Sequence, residues 1–252
     1  MGLFDKFKKN NETGGDADVM NAFIETYKPG EKLCIFKEIS FDDLYINCLY
    51  SSVAHALDVL NDPFFDYTQS WDGSNYCFYY GHSRGTITFV HNQKLFVGAV
   101  RDESSTRRKL YPNFKAINIF SKATAEHRAV AQKDTLEYLY DEENGVTQPM
   151  ATVGFWSCDN KIYVSDTIED FLNNGGEYIN IISNSFEDLR AYWKAQYDFS
   201  EDLHQLANYI FDCFYSIKPI YLNEIKSLDK SCIGYDECVI SLKEINADLI
   251  RF

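Results

Sequence analysis

Between Asn75 and Val100 the chain passes through three β-favouring runs, Tyr76 to Tyr80, Thr86 to Val90 and Lys94 to Val100. Only Gly81 to Gly85 and His91 to Gln93 separate them. Connections this short leave no room for a parallel crossover, so the runs must pair as an antiparallel meander. A chain carrying this stretch is committed to an antiparallel sheet.

A second hairpin is predicted from Met150 to Trp156 and Lys161 to Val164. The intervening Ser157, Cys158, Asp159 and Asn160 include Asx residues that tolerate the left-handed backbone of a tight turn. Ser165, Asp166 and Thr167 then offer helix N-caps for a short helix through Ile168, Phe171 and Leu172, which Asn173, Asn174, Gly175 and Gly176 end. Tyr178 to Ile182 has the β-branched composition of a strand. Ser185 with Asp188 forms a capping-box variant ahead of a helix through Phe186, Leu189 and Trp193.

The remaining elements follow from period and punctuation. Val19, Met20, Phe23, Ile24 and Tyr27 trace an amphipathic helix stopped by Lys28, Pro29 and Gly30. Leu33 to Ile39 is a strand, and Ser40 caps a helix reaching Leu60 with Leu44, Cys48, Ala54, Leu57 and Leu60 towards the core. Ala123 to Tyr140 is helical and Asp141 to Pro149 a loop. Leu203, Leu206, Ala207, Ile210 and Phe214 form one apolar helical stripe that ends before Lys218 and Pro219. Tyr221 to Leu228 is a short helix and Glu237 to Leu242 a closing strand. With no regular βαβ alternation, the class is α+β: a mostly antiparallel sheet with helices packed against it. Residues 1–17 form a tail. Residues 18–252 form a single domain, or two subdomains meeting near 141–149.

Charge narrows the choice of partners. The 252 residues carry a net charge of −14, which repels phosphate backbones and anionic lipid and so argues against nucleic-acid binding. The distribution is uneven. Residues 101–133 hold eight basic side chains against three acidic, a net of +5, while residues 134–202 hold fifteen acidic against three basic, a net of −12. These blocks either face each other or leave an acidic surface for a basic partner. Met1 to Lys9 sets Leu3, Phe4 and Phe7 on one helical face beside Lys6, Lys8 and Lys9, enough for weak membrane contact. No apolar run approaches the ~20 residues of a membrane span. Seven scattered cysteines without a signal peptide fit a reducing, cytoplasmic setting. No feature fixes an oligomeric state.

Catalytic and metal signatures are missing. Cys232 and Cys238 lack the close pairing of zinc ligands, His55, His82, His91, His127 and His204 are isolated, and P-loop, GxSxG and GxGxxG patterns are absent. The turn containing His82 and Ser83 is the one loop suited to nucleophilic chemistry. Adjacent strand residues point to opposite faces, however, so the two need not cooperate. No metal, cofactor or catalytic residue is assigned.

The block from Tyr178 to Trp193, YINIISNSFEDLRAYW, resembles a C-terminal element of the SUKH superfamily, in which a strand leads into a Ser-Phe-x-x-[Phe/Leu] helix. That family contains bacterial immunity proteins that neutralise polymorphic toxins, many of them nucleases. The resemblance implies binding rather than catalysis. The sequence therefore predicts a non-enzymatic protein that binds a basic partner, in the form of an immunity protein against a basic, nuclease-type toxin domain. Asp166, Glu169, Asp170, Glu187 and Asp188 would steer the partner, with Trp156, Tyr163 and Trp193 as anchors. The alternatives are an enzyme using the His82 loop with acidic residues, or a scaffold tethered by its N-terminal segment.

Overall fold

A computed structural model describes residues 30, 32–60, 69–111, 114–143 and 145–252. Its first half runs β1 (Cys34–Glu38), α1 (Phe41–Asp58), β2 (Gln69–Asp72), β3 (Asn75–Tyr80), β4 (Ser83–Val90), β5 (Leu95–Asp102), α2 (Arg107–Leu110) and α3 (Ala125–Lys133). Two 3₁₀ turns, Ala116–Phe120 and Thr135–Leu139, flank α3. The hairpin β6 (Tyr140–Glu143) and β7 (Val146–Pro149) leads to β8 (Val153–Cys158) and β9 (Lys161–Val164). Then come α4 (Ile168–Phe171), α5 (Glu177–Ile182), α6 (Phe186–Gln196) and α7 (Glu201–Tyr215). The chain closes with β10 (Ile220–Tyr221), α8 (Tyr235–Asn246) and β11 (Ile250–Arg251). The fold is α+β, and the expected helix over Asp18 to Tyr27 and the segment Met1 to Lys9 lie outside the described residues.

Seven strands make one antiparallel sheet in the order β1-β9-β8-β5-β4-β3-β2. The meander and the 153–164 hairpin are its two halves, joined where β5 pairs with β8 through Val97↔Trp156 and Val100↔Val153. The segments before and after residues 141–149 thus share one sheet. Alternation along β5 sends Phe96 and Val100 into one core and Leu95, Val97 and Ala99 into another. The larger core lies under α1, α5, α6, α7 and α8, and the smaller under α3 and the two 3₁₀ turns. Having both faces covered explains why β4 and β5 are buried along most of their length, and why β5 reads as an almost unbroken apolar run from Leu95 to Val100. At Gly98 the ring of Phe155 lies across the backbone, and an added Cβ would come within 2.0 Å of it.

Several expectations are corrected. Glu177–Ile182 is helix, not strand, and so is Tyr235–Asn246 where a closing strand is predicted from Glu237 to Leu242. The reason is the same in both. Tyr178, Ile179 and Ile182 are buried at i, i+1, i+4, and Cys238, Val239 and Leu242 repeat that spacing. Helical period decides over β-branched composition when the face is packed, here against α1. The block that resembles the SUKH element is accordingly helix, turn, helix.

Asp141 to Pro149 is not a loop but the strands β6 and β7 turning at Gly145 (φ +76). Tyr221 to Leu228 holds only the end of β10 and a 3₁₀ turn, Leu222–Glu224. The predicted loop over Gly81 to Gly85 contracts to a two-residue turn, Gly81 and His82, and β2 adds an edge that was not anticipated.

The polar chemistry of the core is specific. Arg107 and Asp166 form an ion pair of 2.7 Å with side chains only 3% and 7% exposed, and Arg107 Nη1 also donates to the Thr152 carbonyl at 2.9 Å. The pair ties the start of α2 to the turn before α4, so the basic and acidic blocks do meet here. Next to it Gly175, at φ +118, breaks the helical turn between α4 and α5 and packs on Val100 and Asp102. Removing one partner of a buried pair leaves an uncompensated charge and costs roughly 3–5 kcal/mol. Arg107→Ala and Asp166→Ala should each lower stability by about that much in urea unfolding, with the double variant losing far less than the sum. Additive losses would show that the two side chains do not act as a unit.

Candidate functional site

The structure scatters the eight residues singled out from the sequence. Trp156 packs on Phe120 in the smaller core, and Trp193 is buried in the larger, its indole N–H donating to Ser51 Oγ at 2.8 Å. Asp166 is sealed in its pair with Arg107. These three cannot meet a partner, because each is used to hold the core. Tyr163 is half-buried against the smaller core, and Asp170 is half-buried where its carboxylate accepts from the Thr167 hydroxyl at 2.6 Å. Glu169 and Glu187 are exposed, on α4 and α6 respectively. Asp188, also exposed, opens onto a cleft.

That cleft, about 860 Å³, is built where β1 ends and α1 begins, opposite the α5–α6 turn and the last turns of α7. Its apolar floor includes a row of rings, with Phe186 and Phe211 centred 5.0 Å apart and Phe211 and Tyr215 stacked at 6.0 Å. Ile46 and Tyr215 are shared with a neighbouring hollow of about 360 Å³, lined also by Phe41, Tyr45, His91, Phe214 and Ile217. The two form one groove along the outer face of α1.

Carboxylates line this groove: Glu38, Asp42, Asp43, Asp188 and Asp212, against Lys37 as the one lysine in its lining among the described residues. Local chemistry puts two of them there. Ser40 accepts from the Asp43 N–H at 3.0 Å while its hydroxyl donates to Asp43 Oδ2 at 2.6 Å, and Ser185 with Asp188 repeats this at 3.1 and 2.6 Å. Both carboxylates sit on helix N-termini, where negative charge is favoured.

The groove already shows how it treats cations. Lys37 Nζ donates to the Asn180 carbonyl at 3.2 Å and to Asn184 Oδ1 at 2.5 Å. Burial pulls its amine below the usual lysine range, with nearby Asp188 opposing. At the other end Lys94 reaches Asp42 at 2.6 Å and stands 4.9 Å over the Phe41 ring. Asn47, in the wall, gives its amide N–H groups to the carbonyls of Ile182 and Asn184 at 2.8 and 2.9 Å, yet its buried Oδ1 meets no donor among the described residues.

Ile217 is the least expected part. It terminates α7 in the left-handed conformation, φ +55, with Lys218 N–H bonded to the Cys213 carbonyl at 2.8 Å. This is the position where helices place glycine or asparagine, since a β-branched residue there costs roughly 1–2 kcal/mol. Ile217 is also 77% exposed, so no burial offsets the strain. Strain of this kind clusters at ligand-binding positions. A signal was readable: the helix stops before Lys218 and Pro219 with isoleucine where glycine belongs.

The other proposed chemistry finds no support in geometry. His82 lies in the exposed turn while Ser83 opens β4 beside Gly175, and no group of three potential metal ligands gathers among the described residues. No helix among them is long and apolar enough to cross a membrane. No family model matches the chain, and no curated protein or solved structure matches it.

Replacing the strained residue tests this account of the rim. Ile217→Gly should raise unfolding stability by roughly 0.5–1 kcal/mol, the relief of left-handed strain less the extra chain entropy of glycine. A loss of stability in urea or thermal unfolding would mean that Ile217 is a packing residue.

Proposed function

We propose that this chain is a non-catalytic binding protein whose groove takes a basic, partly apolar segment of a protein partner. The observation that carries the reading is the combination in one groove of an aromatic floor, five carboxylates and a strained, exposed isoleucine. An apolar floor supplies affinity through buried area, and the acidic rim supplies steering and orientation. The cleft is large enough for inserted side chains, since ligand sites commonly span about 300–1,000 Å³. The carboxylates of the groove are acceptors, which suits the donor-only heads of lysine and arginine.

A toxin domain of basic, nuclease type is one partner with this chemistry, and an immunity role is the form of the function we favour. The resemblance of the Tyr178–Trp193 block to SUKH immunity proteins points the same way, although its first half is helical here. The steering residues are revised to Asp42, Asp43, Asp188 and Asp212, with Tyr215 and Ile217 as anchors.

A synthetic amphipathic Lys/Leu peptide provides a direct probe by titration calorimetry. Asp212→Lys and Ile217→Asp should each weaken its binding about tenfold, corresponding to roughly 1.4 kcal/mol. Glu126→Lys, on α3 beyond the opposite face of the sheet, should leave it unchanged. Equal weakening by all three would reduce the effect to net charge, and no weakening by the first two would remove the groove from the function.

A further inference from the structure

Just beyond the Phe186 end of the groove, basic side chains gather in a chain whose net charge is −14. Tyr50 of α1, 0% exposed, sets its ring edge-on to Phe186 and Phe211 at 5.4 and 5.6 Å, and those two rings belong to the cleft floor. The Arg190 guanidinium of α6 stands 5.7 Å over the Phe186 ring, with Lys194 one helical turn further on. His204 joins them from the first turn of α7. Tyr50 Oη, Arg190 Nε and His204 Nδ1 are all buried and meet no hydrogen-bond partner among the described residues. Each is able to donate, and donors buried together without a partner call for an acceptor.

Their mutual influence shows that these groups sit together. Burial raises the Tyr50 phenol above the usual tyrosine range, and the Arg190 charge opposes it. His204 is held below the usual histidine range by burial first and then by repulsion from Lys194 and Arg190, with Glu201 opposing. Glu201 is already engaged, accepting from Lys194 at 2.7 Å and from Gln205 at 3.3 Å. Asp188, two residues before Arg190, lines the cleft instead, since helix positions two apart do not face each other. The cluster is thus short of negative charge. Arg190 and His204 are each half-buried and so reachable from solvent.

We propose that Arg190, His204 and Tyr50 form an anion subsite that takes a carboxylate at the end of the segment lying in the groove. A guanidinium presents parallel donors that match the plane of a carboxylate. The segment is then basic and apolar along the groove and acidic where it passes Phe186, which fixes its direction of binding. The source of the carboxylate rests on the binding role proposed above, while the subsite itself does not.

Formate tests the subsite without a peptide, because it stays ionised throughout the histidine range. A bound anion favours the imidazolium, so replacing chloride by formate at equal ionic strength should raise the midpoint of the His204 titration, followed by NMR, by about half a pH unit. The rise should vanish in Arg190→Gln and persist in Lys122→Gln, which removes the same charge from an exposed position beside the smaller core. No rise in the unaltered chain, or one that survives Arg190→Gln, would overturn the subsite.

The carboxylate is read with two Lys/Leu peptides that differ only in ending as a free acid or an amide. The free acid should bind the unaltered chain about tenfold more tightly, and Arg190→Gln should cut that preference to about twofold or less. Equal affinity of the two peptides for the unaltered chain would overturn the carboxylate assignment. A formate response in a chain that binds neither peptide would keep the anion subsite and overturn both the groove's binding role and the segment assigned to it.

Discussion

The structure depends on the burial of α1. From Asn47 to Asp58 every residue of this helix is buried, and it brings polar side chains into the larger core with it. A polar group taken out of water without a partner costs about 1–3 kcal/mol, so partners supplied by other elements fix those elements against the helix. Asn47 fixes the α5–α6 turn through Ile182 and Asn184, Ser51 receives the Trp193 indole, and Ser52 receives that of Trp71 at 3.0 Å. Helix, sheet edge and helical layer are thereby held in one register. Deeper in the same core Tyr76 and Tyr178 share a hydrogen bond between their hydroxyls, and burial pushes both phenols well above the usual tyrosine range. In the first turns of α1 only Phe41 and Leu44 share this enclosure. Asp42, Asp43, Tyr45 and Ile46 look outwards and form the groove, so one helix anchors the core and walls the site.

Electrostatics divides along the same line. Part of the basic block is spent internally: Arg107 on Asp166, and Arg84 and Arg101 on Asp141. The pair at Arg107 is buried and structural, whereas exposed pairs of the Arg84 kind contribute little, typically under about 1 kcal/mol. Among the acidic residues left over, Asp42, Asp43 and Asp188 lie at the capped starts of α1 and α6, and Asp212 lies near the end of α7. Helix N-termini thus concentrate negative charge at the groove, a placement that follows from local capping chemistry.

Much of the fold was legible because turns and caps are local. The meander, the hairpin turning at Asp159 and Asn160 (φ +50 and +57), the Ser40 and Ser185 caps and the stripe of α7 all follow from neighbouring residues. The helices over residues 177–182 and 235–246 were not, because isoleucine and valine in a short segment favour strands until packing against α1 is known. The site was still less legible. Charge density along the chain pointed to Asp166, but its partner, Arg107, lies fifty-nine residues away in sequence. Trp156 and Trp193 had the composition of interface anchors and the burial of core residues. The groove draws on β1, α1, α6, α7 and α8, and no linear window contains more than a fragment of it. Its local traces are the Ser185 cap that places Asp188 and the isoleucine at position 217, where a helix end favours glycine.

The central claim is that this groove is the surface through which the chain recognises basic, apolar polypeptide. Amide chemical-shift mapping of the isotope-labelled full chain during titration with the Lys/Leu peptide tests it most directly. The account predicts perturbations concentrated at residues 37–49, 183–188 and 211–217, with the sheet centre and α3 unmoved. Perturbations centred on α4 around Glu169, or spread evenly over the acidic surface, would contradict it.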